Sequence, residues 1–366
     1  MGTGGRRVAD PRKGQYTALI SMPVLDAQAL IDNRVQALRD YHKACGLPRA
    51  ELDVSGGVDS AVLAGLLVLA LGPEHLTLVY SSIHSGEASR QRASALVEAL
   101  GARLIVHELT EIYDGLLRDM RRNLAEAGFD MQAIEARIDG DGRVLGSMRS
   151  CLRAPLGRGY LRLTGPGVRH GTGNECEDRW LRFYQKGGDG EVDTNPIAML
   201  SKGEVYQLAW ALGQRLSSQE AYATIITAPP TPELWGREDP HTDEEEIGEY
   251  LGLRGHGETF YSYIDPETGT YARVGLIERV ARFADSPQGI GLFEDNEDLA
   301  REEARIGALI ESAVGAPSMA GLDGELVPDL LRAARRAERF TRHKMNPNCP
   351  TLGVRADLAM LTDELP

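Results

Sequence analysis

Apolar side chains at helical spacing mark the first ordered element of the chain. In the stretch AQALIDNRVQALRDYHKACG, which begins at Ala27, they recur at Ile31, Val35 and Leu38, at intervals of four and three residues. That spacing places them on one face of an α-helix, and Gly46 is placed to end it. The pattern predicts an amphipathic helix that packs against a sheet.

Farther along the chain, short apolar runs alternate with helical patterns. Three predicted strands, at 50–54, 75–80 and 103–109, alternate with two predicted helices, at 61–71 and 88–100. Strands joined through helices in this order form a parallel sheet that helices cover on both faces. The predicted fold class is therefore α/β, a doubly wound parallel sheet flanked by helices. Ligands of such sheets bind beyond the carboxyl ends of the strands.

Two later segments interrupt the alternation. The segments at about 116–146 and 254–334 are predicted to be largely helical insertions, and GETFYSYIDPETGTYARVG in the second predicts a hairpin with PETG as its turn. The DGDGR sequence at 139–143 lacks the ligand spacing of a calcium loop and is predicted to be a plain turn. We expect a disordered leader over residues 1–20 and a single domain over 21–366 that carries both insertions.

The composition excludes several classes of protein. A chain of 366 residues with 42% hydrophobic content can bury a large core. Its formal net charge of −14 argues against a large nucleic-acid interface, which needs clustered Lys and Arg. The longest apolar run, Ala61–Leu71, is too short to cross a bilayer, and the N-terminal segment lacks the apolar core of a secretory signal. We expect a soluble cytoplasmic protein with no membrane or nucleic-acid partner.

The cysteines give no sign of a disulfide framework or a metal site. The chain has four, Cys45, Cys151, Cys176 and Cys349. They are widely separated, with neither a CxxC pair nor the spacing of metal ligands, so reduced thiols are predicted.

The stretch LDVSGGVDS at 52–60 is the first candidate for chemistry. Two glycines after a strand let the backbone approach an anion, and the next helix presents unpaired N–H groups. A P-loop would carry a lysine here, whereas Asp59 precedes Ser60 in this turn. Because a carboxylate cannot hold phosphate unaided, Asp59 indicates a bridging Mg²⁺, with Ser55 and Ser60 donating hydroxyls to phosphate. Two glycines alone would also fit a plain strand–turn–helix corner.

The whole string Ser-Gly-Gly-Val-Asp-Ser resembles the pyrophosphate-binding loop of the ATP pyrophosphatase, or PP-loop, superfamily. Further segments are similar to ammonia-dependent NAD synthetases: GTGNECE at 171–177, KGGDGEVDTNPIAMLSKGEV at 186–205, HTDEEEIGEY at 241–250 and TRHKMNPNCP at 341–350. The resemblance covers roughly residues 25–115, 147–250 and 335–352. It implies an adenine nucleotide alpha hydrolase-like fold, a homodimer, and the use of ATP and Mg²⁺, with ammonia either free or delivered by a partner.

The resemblance also assigns site residues. The implied ATP-binding positions are Ser55, Gly56, Gly57, Val58, Asp59, Ser60, Ser82, Thr172 and Lys202. The implied substrate-binding positions are Arg153, Lys186, Asp189, Asp193, His343 and Lys344. Asp59, Lys202 and Asp189 are implied to be catalytic. Asp59 and Glu177 would hold the metal, but a spacing difference of one residue leaves Asp178 as an alternative to Glu177.

Lys202, the acidic run at 243–246 and Ser82 each have a second interpretation, from local physical chemistry alone. A lysine at a helix N-terminus, such as Lys202, is unfavourable unless an anion lies beside it. His241, Thr242 and the acidic run 243–246 resemble a mobile loop that closes over pyrophosphate, although the run alone would be a solvated helix start. Ser82 lies in a serine-rich turn that could hold adenine and ribose, and a polar surface loop explains that turn almost as well.

The sequence departs from the family near the second substrate. Within SMRSCLRAPLGRGYLRL, Cys151 stands where the resemblance places the first of two arginines, and Arg153 stands at the second. Loss of a guanidinium at an anion-binding position should weaken the binding of a pyrophosphate-bearing substrate. The strand before GTGN, PGVRH, is also unusually polar for a buried central strand.

The predicted function is ATP-dependent formation of an amide. A substrate carboxylate would be adenylated with release of pyrophosphate, and ammonia would then displace AMP. Synthesis of NAD from deamido-NAD is favoured, and the alternative is the same chemistry on another carboxylic acid. A tRNA-sulfurating or lysidine-forming relative would need a basic face and, for sulfur transfer, paired cysteines. A non-catalytic nucleotide-binding protein would not need Asp59, Glu177 and Lys202 together.

Overall fold

A computed structural model describes residues 26–141, 143–231, 242–294 and 299–344. Strands β1 (Arg49–Asp53), β2 (Leu76–Ser82), β3 (Leu104–Glu108) and β4 (Gly167–His170) form one parallel sheet in the order β3-β2-β1-β4. The three strands predicted from apolar runs are therefore confirmed, and so is the parallel α/β fold. The expected leader, residues 1–20, lies outside the described residues.

In the ranges that the structure describes, helices and a small hairpin make up the remaining regular structure. The helices are α1 (Ala27–Cys45), α2 (Val58–Leu71), α3 (Glu87–Ala99), α4 (Thr110–Glu126), α5 (Met131–Gly140), α6 (Arg143–Thr164), α7 (Glu175–Asp178), α8 (Lys202–Arg215), α9 (Gln219–Thr227), α10 (Asp243–Leu251), α11 (Leu276–Asp285), α12 (Leu299–Ala313) and α13 (Leu326–Thr341). Short 3₁₀ turns lie at Pro73–His75, Pro317–Met319 and Arg342–Lys344. Strands β5 (Tyr263–Ile264) and β6 (Tyr271–Arg273) pair in antiparallel fashion, which confirms the predicted hairpin.

Helix α2 lies inside the main hydrophobic core because its sequence, VDSAVLAGLLVLAL, is apolar on nearly every side. Val62, Leu63 and Leu66 are fully buried, and the helix packs against α1, α8 and α9. The hydroxyl of Tyr222 in α9 donates to the carbonyl of Ala61 at 3.0 Å. The first turn of α2, and with it the glycine turn, is thus fixed by the core.

Strand β4 lies at an end of the four-stranded sheet, yet its polar side chains Arg169 and His170 are buried. Pairing with buried polar partners, rather than exposure at the edge, accommodates its polar sequence. Arg169 donates through Nη1 to both carboxylate oxygens of Glu51, at 2.5 and 2.6 Å, and through Nη2 to Asp53 at 2.5 Å. Burial raises the pKa of Glu51 to about 8, and the neighbouring charge of Asp53 acts in the same direction. Arg169 opposes this rise only in part, because two carboxylates share its guanidinium.

The segments predicted as insertions are largely helical, as expected. Helices α4 and α5 occupy much of the first. The turn predicted at 139–143 is shorter in the structure, because Gly140 still ends α5 and Arg143 already begins α6. In the second, α11 to α13 pack with α7 and α10 in a second hydrophobic core that contains Trp180 and Phe283. Buried ion pairs hold this core together, since Arg335 donates to Glu302 at 2.5 Å and to Glu338 at 2.8 Å.

Three cysteines, Cys45, Cys151 and Cys176, have free thiols, which agrees with the prediction, and Cys349 lies outside the described residues. Within the described ranges, no helix combines the length and the apolar character that a membrane span requires.

Candidate active site

The turn between β1 and α2 depends on Gly56, whose φ of 80° is left-handed. A Cβ atom at this position would lie 2.4 Å from the carbonyl oxygen of Ser89 in α3. Arg92, also in α3, donates to the carbonyl of Gly56 at 3.1 Å and to the hydroxyl of Ser89 at 2.9 Å. Gly56 is therefore required by its backbone conformation and by the contact with α3, independently of any anion.

The two serines of the turn have different environments. Ser60 is buried, and its hydroxyl donates to the carbonyl of Gly57 at 3.0 Å and accepts from the N–H of Ser55 at 3.3 Å. Its hydroxyl braces the turn from within, and Ser60 does not line the pocket that opens beside the turn, so its expected hydrogen bond to phosphate stays a prediction. Ser55, by contrast, lines the pocket together with Gly56 and Gly57.

A compact charged cluster lies beside the turn. The ammonium of Lys202 donates to Asp59 Oδ2 at 2.6 Å and to Glu177 Oε1 at 2.9 Å. Asn174 donates to the other oxygen of Asp59 at 2.9 Å, and its own side-chain oxygen accepts from the N–H of Glu177 at 3.1 Å, at the start of α7. All of the charged members line the pocket, so one lysine brings together two carboxylates that are distant in sequence.

The alternative metal carboxylate, Asp178, points elsewhere. Its Oδ2 accepts from the side-chain amide of Asn195 at 3.0 Å, and a Cβ atom on Gly173 would lie 2.0 Å from the same oxygen. Glu177, not Asp178, contacts the lysine that holds Asp59. The geometry therefore favours Glu177 as the partner of Asp59.

Electrostatic interactions keep the Lys202 ammonium charged although it is only 2% exposed. Burial opposes the charge, but the attraction of Asp59 and Glu177 outweighs it and raises the pKa of Lys202. Asp243 lies on the same pocket wall, and burial raises its pKa to about 8, with Lys202 acting in the opposite direction. The ammonium of Lys202 thus lies in a pocket that it shares with the carboxyl groups of Asp59, Glu177 and Asp243.

The start of helix α8 explains how a lysine is tolerated at a helix N-terminus. Ser201 caps the helix, and its hydroxyl and the carboxylate of Glu204 form a reciprocal capping box. Lys202 is the first helical residue, and Asp59 and Glu177 provide the anions that the helix dipole requires beside it.

The acidic run at the start of α10 is more buried than a solvated helix start would be. Thr242 and Glu245 form a capping box, and Asp243 lines the pocket. Glu244 accepts hydrogen bonds from the N–H groups of Phe260 at 2.6 Å and Tyr261 at 2.9 Å. The run therefore joins the pocket to the second insertion. His241, assigned to the same loop, lies outside the described residues.

The remaining pocket walls combine apolar and polar side chains. Among them are Val79, Tyr80, Ser81, Ser85, Ser89, Arg92, Arg153, Tyr206, Ile225, Ala228, Pro229, Pro230 and Thr231. Apolar groups such as Val79 and Ile225 can contact a flat aromatic base, while the glycine turn and Lys202 lie at the anionic end.

Besides Ser60, two other residues assigned to ATP do not line this pocket. Ser82 is buried at the end of β2, and its hydroxyl hydrogen-bonds to the carboxylate of Glu108, whereas Ser81 and Ser85 line the pocket. The binding of ATP by Ser82 stays a prediction. Thr172 is partly buried and likewise does not line the pocket.

The residues assigned to the second substrate lie mainly in and around the loop after α7. Asp189 accepts from the hydroxyl of Ser150 at 2.6 Å, and Asp193 accepts from Arg158 at 3.1 Å. Lys344 donates to the carbonyls of Arg182 and Tyr184 at 3.0 and 2.7 Å. These contacts organise the loop. Of the members of this set whose side chains the structure describes, only Arg153 lines the pocket with the glycine turn.

Two other residues of the set complete the description. The side chain of Lys186 is exposed, and its carbonyl accepts from the thiol of Cys151 at 3.7 Å. The side chain of His343 lies outside the described residues.

Sequence reasoning assigned no role to several residues that shape the site. Asn174 fixes both Asp59 and the start of α7, Arg92 holds the glycine turn, and Tyr261 packs on Lys202. Asn174 directly precedes the acidic start of α7, as an N-capping residue does, so the local sequence could have indicated its role. Arg92 and Tyr261 act through contacts between segments that are distant in sequence, so the local sequence does not indicate their roles.

The chain is similar in sequence and in fold to known synthetases. The family model described as NAD synthase matches residues 30–255. The NH(3)-dependent NAD(+) synthetase of Halobacterium salinarum is 33% identical over 218 residues, which cover 59% of this chain and 71% of the relative. The enzyme of the same name from Methanococcoides burtonii is 32% identical over 208 residues, covering 56% and 68%. The structure of NMN synthetase from Francisella tularensis has a TM-score of 0.50 at 23% identity, covers 63% of this chain and 83% of that one, and shows similarity of fold.

Proposed function

The chain belongs to the NAD synthase family, and from this premise we propose that it forms NAD from deamido-NAD, ATP and ammonia. The observation that carries the proposal is the bridge from Lys202 to Asp59 and Glu177 beside the glycine turn. The charged cluster and an apolar wall line the same pocket, and this is the arrangement that an adenylating enzyme needs.

The reaction consists of two displacements. An oxygen of the substrate carboxylate attacks the α-phosphorus of ATP, the bond to the bridging oxygen breaks, and pyrophosphate leaves. Ammonia then attacks the acyl carbon of the resulting adenylate, loses a proton, and AMP departs with the bonding electron pair. The free thiols take no part, because neither step requires a covalent enzyme intermediate.

The residues of the pocket stabilise the charge that develops on the leaving group. Backbone N–H groups at the start of α2 and the ammonium of Lys202 lie where pyrophosphate would bind. Arg153 enters the same pocket from α6, and we propose that its guanidinium binds a phosphate of one of the two substrates. We propose that Asp189 and Asp193 order the loop that receives the second substrate, since both bind groups of the protein itself.

The site also fits a magnesium ion. Asp59 and Glu177 contact the same ammonium, so their carboxylates are close enough to share one cation with phosphate oxygens. Among the described residues, no group of three or more His, Cys, Asp or Glu side chains is arranged to hold a metal ion. We propose that phosphate oxygens of the bound nucleotide would supply further ligands. Bound there, the ion would neutralise phosphate charge and polarise the phosphoryl oxygens.

Amidation of another carboxylic acid is the second candidate function. Cys151 stands where the family resemblance has an arginine, and its thiol donates to the Lys186 carbonyl of the substrate loop. A neutral thiol cannot replace a guanidinium in binding a phosphate. This departure affects the second substrate and leaves the ATP site unchanged.

The direct test is to incubate the protein with Mg-ATP, ammonium and deamido-NAD and to measure AMP and NAD. Nicotinate mononucleotide and simple aromatic acids in place of deamido-NAD separate the two candidates. NAD formation supports the main proposal, whereas AMP and amide only with another acid would replace it with the second candidate. Absence of AMP with every acid would contradict both.

The Asp59→Asn variant tests the role of the charged cluster. We expect at least a hundredfold loss of AMP formation, because the amide keeps the shape but cannot balance Lys202 or hold a cation. Asp40→Asn, on the exposed face of α1, is the matched control and should retain full activity. Full activity of Asp59→Asn would remove Asp59 from the mechanism.

We also propose that two chains associate through helix α4. Ile112, Leu116 and Met120 recur every four residues and are 56%, 37% and 40% exposed, so they form an apolar stripe on the surface. Charges of both signs, Asp119 and Arg122, lie beside the stripe, which suits the self-complementary contact of a two-fold dimer.

A further inference from the structure

Tyr261 packs against the lysine at the centre of the site. The Lys202 ammonium lies 4.9 Å from the centroid of the Tyr261 ring, and the residues are 2% and 1% exposed. Tyr261 comes from the second insertion, beyond residue 255, where the match to the family model ends. The insertion therefore reaches the site directly.

Hydrogen bonds hold the Tyr261 backbone from two sides. On one side Glu244 of α10 accepts from the N–H groups of Phe260 and Tyr261, and it also accepts from the hydroxyl of Tyr263 at 3.0 Å. On the other side the N-terminus of α11 donates to the segment, because the N–H of Ile277 donates to the carbonyl of Phe260 at 3.1 Å. The position of the ring is consequently fixed by two helices.

The start of α11 leaves no room for the segment to shift. A Cβ atom on Gly275 would lie 2.3 Å from both the carbonyl oxygen of Phe260 and the carbonyl carbon of Tyr261. The N–H of Gly275 also donates to the hydroxyl of Ser262 at 2.9 Å. The segment that carries Tyr261 is therefore packed tightly against the start of α11.

The ring completes the environment of the ammonium. Asp59 and Glu177 take two of its hydrogen bonds, while the aromatic face attracts the cation and excludes water. A smaller side chain would leave the long flexible arm of Lys202 free to adopt other rotamers and would admit water.

We propose that Tyr261 is a positioning residue that holds Lys202 against Asp59 and Glu177, so that the insertion sets the rate of the adenylation step. The proposal rests on the proposed function, because it assigns Lys202 to the transition state of that reaction. Tyr261 itself does not contact the reacting atoms and acts through Lys202.

The test compares Tyr261→Leu with Tyr261→Phe. The phenylalanine keeps the ring, so we expect kcat within about twofold of wild type, whereas the leucine should lower kcat about tenfold, a typical effect of losing a buried cation–π contact. The KM for ATP should change much less than kcat, because the defect lies in the orientation of Lys202 and not in the nucleotide walls. Phe283→Leu removes a buried ring from the same core without touching Lys202 and controls for lost stability.

A second measurement works without catalysis. The rate at which an amine-reactive acylating reagent labels Lys202, followed by peptide mass spectrometry, should rise several-fold in Tyr261→Leu and stay low in wild type, Tyr261→Phe and Phe283→Leu. The exposed Lys43 serves as the internal reference. If no acid yields AMP, the proposed function is contradicted, but the labelling rate of Lys202 still tests whether Tyr261 holds that lysine in place. Unchanged labelling and unchanged kcat in Tyr261→Leu would overturn the inference.

Discussion

Gly56 and Gly57 are neighbours in the turn, but the turn requires glycine more strictly at position 56 than at position 57. Gly56 has a φ of 80°, and a Cβ atom would collide with the backbone of α3, whereas Gly57 has a φ of −95° and would approach only the Ser55 hydroxyl, at 3.3 Å. A left-handed non-glycine residue costs about 1–2 kcal/mol before any collision is counted. We expect Gly56→Ala to lower the free energy of unfolding by at least about 2 kcal/mol and Gly57→Ala by less than about 1 kcal/mol.

Urea unfolding of the two variants, together with calorimetric ATP titration, would check this difference. ATP binding should weaken more in Gly56→Ala, because displacement of α3 also moves Arg92 and Ser89 on the pocket wall. Equal losses of stability in both variants would show that the contact with α3 is not what requires glycine.

The buried pair His42 and His170 predicts a dependence of stability on pH. Their Nε2 atoms are 2.9 Å apart, and Nδ1 of His42 lies 2.7 Å from the carbonyl of Leu47. Burial, aided by the neighbouring His42, lowers the pKa of His170 to about 3. The unfolded chain therefore binds a proton that the folded chain excludes, so stability is complete above about pH 6.5 and is lost as the pH falls toward 3.

Between pH 6.5 and pH 5 this histidine alone should lower the free energy of unfolding by about 2 kcal/mol. Denaturant unfolding at both pH values should give a smaller decrease for His170→Asn than for wild type. The exposed His75→Asn variant is the control and should behave as wild type does. Identical pH dependence in all three proteins would contradict the assignment.

Among the elements, helix α4 allows the clearest test of assembly. If its apolar stripe is a dimer contact, Leu116→Asp should convert a dimer into a monomer at micromolar concentration, because an unpaired charge in an apolar interface is costly. Sedimentation velocity would measure the change. Arg118→Gln lies on another face of the same exposed helix and should leave the mass unaltered. A wild-type monomer, or a Leu116→Asp dimer, would exclude this interface.

The elements also show how far the sequence allows prediction. Strands β1 to β3 and helices α1 to α3 follow from local apolar periodicity, which predicts all six to within a few residues. The position of β4 at the edge of the sheet could not be predicted in this way, because it depends on the pairing of β4 with β1 and not on the sequence of β4 alone. For the site, the resemblance to a family indicates that Asp59 and Lys202 belong together although they are 143 residues apart. No resemblance covers the insertion, so nothing indicates Tyr261.

For the whole molecule, the second hydrophobic core connects the family-matched part with the second insertion and helix α13. Trp180 and Ile247 come from the matched part, and Phe283 and Leu330 come from beyond it, yet all four are fully buried in one cluster. The ring of Trp180 stacks on Phe293 with centroids 6.0 Å apart. We propose that residues 21–366 form a single domain, because removal of either part would expose half of this core.

A chain that ends at residue 255 tests that proposal. It would lose the partners of Trp180 and Ile247 and the ring beside Lys202, so we expect a broad, non-cooperative thermal transition and ATP binding weakened at least tenfold. Circular dichroism, tryptophan fluorescence and calorimetry would measure these changes. Supplying residues 256–366 as a separate chain should restore part of the binding if the loss reflects the missing core. A truncated chain that melts cooperatively and binds ATP as tightly as the full chain would show two independent units, because the glycine turn and its charged cluster would then need nothing from the insertion.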